Sequence, residues 1–167
     1  MKNVFLPNEN SNTNANKKPG GIKFKPNGDI DGKVDRAKLH SDMKAASLKW
    51  KQLQKKEYSF EFERVCYECS EESLGPFLIT VNPKGQEGST IVYLESGDNV
   101  PLDIKIGLPT TMDDLFDKLE RESQSDLSYM NVDYHPSEGY PKRFAMSHFS
   151  DKALIMGYIK NVRVLKN

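Results

Sequence analysis

The chain has 167 residues, 24 Lys+Arg balanced by 24 Asp+Glu, 37% hydrophobic residues and two cysteines. The length suits one domain with a tail rather than two, and zero net charge excludes an overall field that would draw in nucleic acid or an anionic membrane. No run approaches the roughly 18 to 20 apolar residues of a membrane span, and the N-terminus lacks the apolar core of a signal peptide.

Residues 1–34, rich in Asn, Lys and Pro, read as a flexible polar tail with too few apolar side chains to offset the entropy of ordering them. Asn27-Gly28 between short alternating flanks marks a short hairpin at 22–32. A single domain is expected over 35–167. It opens with a helix from about Asp35 to Lys55, because Leu39, Met43, Ala46, Trp50 and Leu53 recur at spacings of four, three, four and three. Trp50 reads as a core anchor in that stripe.

Tyr58 to Cys66 alternates Tyr, Phe and Phe against Ser, Glu and Glu, the pattern of a half-buried antiparallel strand, with Arg64 interrupting the inward set. Phe77, Ile79 and Val81 form a second strand closed by Asn82-Pro83-Lys84-Gly85. Ile91 to Leu94 form a third, and the three pair as a meander. After a loop region with Gly97, Pro101, Gly107 and Pro109, Thr111-Met-Asp-Asp114 starts a capped helix with Met112, Leu115, Phe116 and Leu119 on one face.

Tyr129 to Pro141 reads as a strand running into an elaborate turn. Met130, Val132 and Tyr134 share one face while Tyr129, Asn131 and Asp133 share the other. Pro136 ends the ladder, Gly139 supplies a positive φ, and Pro141 restarts the chain. Two strands follow. Phe144, Met146 and His148 share a face of the first; Leu154, Met156, Tyr158, Val162 and Val164 are assigned to one face of the second, with Lys160 as an exception. The fold class is therefore α+β, an antiparallel sheet of about six strands with two helices on one face, in the order α-β-β-β-α-β-β-β, an order that suggests a pseudo-duplication.

The pieces Tyr58-x-Phe60-x-Phe62-x-Arg64-x-Cys66, Thr111 to Leu119, and Asp133-Tyr134-x-Pro136-x-x-Gly139-Tyr140-Pro141 carry a resemblance. Over about Trp50 to Val164 the chain resembles a bacterial family known only as a domain of unknown function, whose members mostly look like secreted proteins or lipoproteins. The resemblance implies an extracytoplasmic setting and no particular activity. Three positions depart from it: the cysteines stand one residue further apart, His135 replaces the Asp that usually precedes the proline, and an acidic cluster after the next strand is reduced to Asp151.

Cys66-Tyr-Glu-Cys69 admits three chemistries. A redox pair of thioredoxin type wants its first cysteine at a helix N-terminus, whereas this one ends a strand. A zinc site wants two further ligands, and only His40, His135 and His148 are at hand. A structural disulfide clamping the strand end suits an oxidising compartment. His135 and His148 are placed to approach Asp133 or Asp151, but no nucleophile or oxyanion site accompanies them, and they read as turn or surface histidines.

The expectation is thus a non-enzymatic binding or structural module of the bacterial cell envelope or secreted fraction, with no cofactor, no metal site and no catalytic residues. It binds another protein or an envelope component through its sheet or turn. Tyr129, Asp133, Tyr134, Gly139, Tyr140, Pro141 and Arg143 are the candidate interface, since Tyr and Arg are enriched at interfaces, while core packing explains half of these aromatics equally well and Tyr140, between Gly139 and Pro141, is expected to pack on the hairpin. Its compartment is the periplasm or exterior if a signal segment preceded Met1, and the cytoplasm otherwise. The alternative is a thiol redox or metal-binding accessory protein using Cys66 and Cys69.

Overall fold

The computed structural model describes residues 34–53, 57–151 and 153–166. The expected tail and the 22–32 hairpin fall outside these, apart from Val34, which packs against the core. Asp35 starts helix α1 (Arg36–Gln52) by accepting the amide of Lys38 on its side chain, so an otherwise orphaned N-H of the first turn is satisfied. Met43, Ala46 and Trp50 are its buried stripe. The lysines at 44, 49 and 51 lie on the exposed side, as the spacing predicts.

Strand β1 (Glu57–Cys66) buries Tyr58, Phe60 and Phe62. Arg64 stays on the same face but is only half-buried; its Nε donates to the Ser73 carbonyl at 2.6 Å, and burial pulls its guanidinium below its ordinary range. A single 3-10 turn at Glu71–Ser73 leads to β2 (Phe77–Asn82), which alternates buried Phe77, Ile79 and Val81 with half-exposed neighbours. The hairpin to β3 (Gly85–Tyr93) is tied by Asn82, whose Oδ1 accepts the Lys84 amide and whose Nδ2 donates to the Gly88 carbonyl. This strand begins well before Ile91, because the backbone pairing starts at Gly85 even though the apolar alternation does not. The loop that follows contains a one-turn helix α2 (Leu102–Lys105), too short to leave a periodic signal, that buries Ile104.

Helix α3 (Met112–Ser123) is capped as its first residues foretell: the Thr111 hydroxyl accepts the Asp114 amide at 2.8 Å. Asp114 returns the favour one position further out than a standard capping box, accepting the Thr110 amide at 2.9 Å. Met112, Leu115, Phe116 and Leu119 are all buried. Strands β4 (Leu127–Tyr134), β5 (Pro141–His148) and β6 (Ile155–Lys166) complete one six-stranded sheet in the order β3-β2-β1-β6-β5-β4, antiparallel throughout. The apolar residues of the three described α-helices enter one core on a single sheet face. The element order repeats, yet β1 and β4 run in opposite directions, so the two α-β-β-β units are not superposable with their helices on the same side.

One assignment of faces is overturned. In β6 the core side is Ile155, Gly157 and Ile159, whereas Met156 and Tyr158 lie on the opposite face. Val162 returns to the core side because Asn161, at φ 51°, makes a bulge where the register with β1 slips between Ser59 and Glu61. Val164, at the far end, is 42% exposed. The physical reason is Gly157: the Phe144 ring covers it, so any side chain there would collide with that ring, and Phe144 stacks in turn on Phe62 at 6.4 Å. An apolar run of Leu, Ile and Met with no alternation could not declare which parity faces inward.

Candidate functional site

With every described helix on one face, the opposite sheet face presents cross-strand rows that the ladder registers define. The row Glu63, Tyr158, Arg143, Asp133 runs across β1, β6, β5 and β4. Next to it lies Val65, Met156, Ala145, Asn131. Arg143 Nη2 donates to Asp133 Oδ2 at 2.5 Å, and Lys160 Nζ donates to Glu63 Oε1 at 3.1 Å while standing 5.8 Å from the Tyr158 ring centre. Asn161 Nδ2 donates to Glu61 Oε2 at 2.8 Å. The Tyr158 hydroxyl turns to the Met156 sulfur at 3.8 Å. Tyr129 sits one strand position beyond, opposite Ser147; burial pushes its phenol pKa up, with Arg143 acting against the shift.

Exposed ion pairs such as these contribute roughly 0 to 1 kcal/mol each, so they do not explain why the face is built this way. They do hold two cations and the Tyr158 ring in one orientation, at little further entropic cost on binding.

The seven candidate interface residues divide between the two sides of the sheet. Tyr129, Asp133 and Arg143 lie on the open face. Tyr134, Gly139, Tyr140 and Pro141 lie on the core side, the glycine and proline buried and the two tyrosines half-buried. Tyr134 stacks on Phe116 at 6.2 Å, and burial raises its phenol pKa. Tyr140 meets Trp50 edge-on at 6.0 Å and stacks on His135 at 4.8 Å. Pro141 is fully buried, and Gly139 is buried against the backbone of α1. The turn thus docks onto the first helix, fastened by Lys49 Nζ donating to the Pro136 carbonyl at 3.0 Å.

His135 has a clear role in this turn. Its Nδ1 accepts the Glu138 amide at 3.0 Å, and its backbone N-H donates to the Tyr140 carbonyl at 2.8 Å. His148 Nε2 pairs with Glu122 Oε1 at 2.9 Å, tying the end of β5 to the end of α3. The polar ring partners are Ser137 and Glu138 for His135 and Glu122 for His148, not Asp133 or Asp151. Among the described residues no three His, Cys, Asp or Glu side chains converge as metal ligands would.

Cys66 and Cys69 are joined by a disulfide, with their Cα atoms 5.5 Å apart. The bond closes a turn through exposed Tyr67 and Glu68 where β1 ends. Closing so small a loop restricts the unfolded chain only slightly, by about 2 kcal/mol on loop-closure grounds. Cys66→Ser with Cys69→Ser should therefore fold normally and lose no more than about 2 kcal/mol in chemical denaturation; a double variant that fails to fold would show the clamp to be essential.

Tyr158, Lys160 and Glu63 escape sequence reasoning because their meeting depends on the register of β6 with β1. The usable signals were Gly157, a residue that a sheet interior tolerates only where something packs over it, and Asn161 as a bulge former.

Taken together, the chain is an α+β domain with two long helices on one sheet face and a charged and aromatic row across the other. It belongs to a family of unknown function (DUF6174), whose model matches residues 42–154, from within α1 to the residue before β6. Comparison with curated proteins found no match.

Proposed function

We propose that this domain is a non-enzymatic binding module that engages another protein or an envelope component through the sheet face opposite the described helices, centred on Tyr158, Arg143 and Tyr129. The observation that carries the reading is the cross-strand row Glu63, Tyr158, Arg143, Asp133, flanked by Lys160. Tyr and Arg dominate interface energetics because each combines large contact area with directional hydrogen bonding. An oxidising, extracytoplasmic compartment is part of the proposal, since the partly exposed Cys66–Cys69 bond would persist there.

Arg143→Ala combined with Tyr158→Ala should leave the protein folded, with the melting temperature lowered by no more than about 5 °C, while weakening capture of the native partner by about a hundredfold, the loss of two anchors at about 1 to 2 kcal/mol each. Affinity capture from the source organism followed by titration of the captured partner checks this. Equal binding by the double variant would remove the sheet face from consideration.

The Cys66–Cys69 bond also favours a second reading, a thiol redox or metal-binding accessory. Titration of the reduced protein distinguishes it: a Cys66 thiol ionising well below the ordinary value of about 8.5 supports redox use, and an ordinary value supports a structural bond.

A further inference from the structure

Helices α1 and α3 lie antiparallel on the core face. Arg36 at the start of α1 donates to the Ser123 carbonyl at the end of α3. At the other end Trp50 packs on Tyr58, whose hydroxyl accepts the Met112 amide at the start of α3. Between the helices runs a cleft of about 410 Å³, within the roughly 300 to 1,000 Å³ of small-molecule sites. Its floor includes Met43 and Phe116, both buried. Its walls are segregated by charge: Lys44 and Lys51 come from α1, and Asp113 and Asp117 come from α3.

At one end the walls nearly touch, with His40 Nδ1 3.6 Å from Glu120 Oε1. Further along they do not: among the described residues Lys44, Lys51, Asp113 and Asp117 form no ion pair within 4.0 Å. A cationic wall and an anionic wall therefore face each other across a gap with an apolar base. We propose that this cleft binds a small zwitterion of dipeptide size carrying an apolar side chain. Its carboxylate pairs with Lys44 or Lys51, its ammonium pairs with Asp113 or Asp117, and its side chain rests on Met43 and Phe116, where the unbranched Met adapts to the shape presented.

Size selects the occupant. The cleft volume of about 410 Å³ holds a molecule of dipeptide size but no folded segment. A ligand with one charge, or none, would leave a wall unpaired. The site lies on the opposite side of the sheet from the proposed interface and stands or falls separately from it.

The test is a titration of ¹⁵N-labelled full-length protein with Gly-Leu, followed by amide shifts, alongside the N-acetylated and C-amidated form of the same dipeptide. Saturable shifts confined to the facing stretches of α1 and α3 with free Gly-Leu, and absent with the capped form, are expected. Lys44→Gln with Lys51→Gln, and Asp113→Asn with Asp117→Asn, should each weaken binding by about fivefold, the upper value of one exposed ion pair, without moving the melting temperature. Failure to saturate at millimolar dipeptide, an equal response to the capped form, or indifference to both pairs of substitutions would overturn the proposal.

Discussion

Gly139→Ala should destabilise the domain by about 3 to 5 kcal/mol, a large part of the roughly 5 to 15 kcal/mol by which such a domain is stable. Two costs combine. At φ +83° a residue with a Cβ is strained by about 1 to 2 kcal/mol. The added methyl would also land on the Ala46 carbonyl oxygen of α1, 2.8 Å from the Lys49 Cβ. Neither neighbour can yield without shifting the helix, so the turn lifts away, and with it go the packing of Tyr140 on Trp50 and the Lys49 bond to Pro136. Gly85→Ala is the control: that glycine has φ +70°, with nothing within 4 Å of a Cβ, so it should show the conformational cost alone. Urea denaturation of the two variants separates strain from collision. Equal losses would mean that the turn does not rely on close docking.

Trp50→Ala is expected to cost a similar amount, about 3 to 5 kcal/mol, as for other buried aromatic truncations. Its indole stands edge-on to Tyr58 at 5.2 Å and to Tyr140 at 6.0 Å, so one side chain joins α1 to β1 and to the turn. Tyr58 in turn caps α3 through Met112, and burial pushes its phenol pKa up to about 12. Loss of Trp50 leaves a cavity where three elements meet, and cost rises with the volume that cannot collapse. Leu48→Ala, on the same helix but 52% exposed, should stay within about 0.5 kcal/mol. Thermal unfolding of both variants checks the pair, and a Trp50→Ala protein melting with Leu48→Ala would place the indole outside the core.

The two cases also show where sequence reading succeeds and where it fails. Trp50 announced its burial through the spacing of its own helix, and Gly139 announced its backbone conformation through the prolines around it. That Gly139 would meet Ala46, and Tyr140 would meet Trp50, was invisible, because no local pattern encodes a contact between residues about ninety positions apart. For the same reason the sequence left Tyr134 and Tyr140 open to core packing or to an interface, and their contacts with Phe116 and Trp50 are what the tertiary structure adds.

Local physics alone determined the elements whose hydrophobic period is unambiguous: α1, the capped α3, β1 with its alternating aromatics, the turn before Pro141 and the α+β class. Tertiary structure alone decided the orientation of β6. Leu154 to Ile159 is apolar at both parities, so the face turned inward depends on the Phe144 ring seating over Gly157 and on the Asn161 bulge that resets the register with β1. That choice puts Tyr158 beside Arg143 instead of in the core. A period of two can state that alternate residues part company, but only the partner strands decide which set is buried.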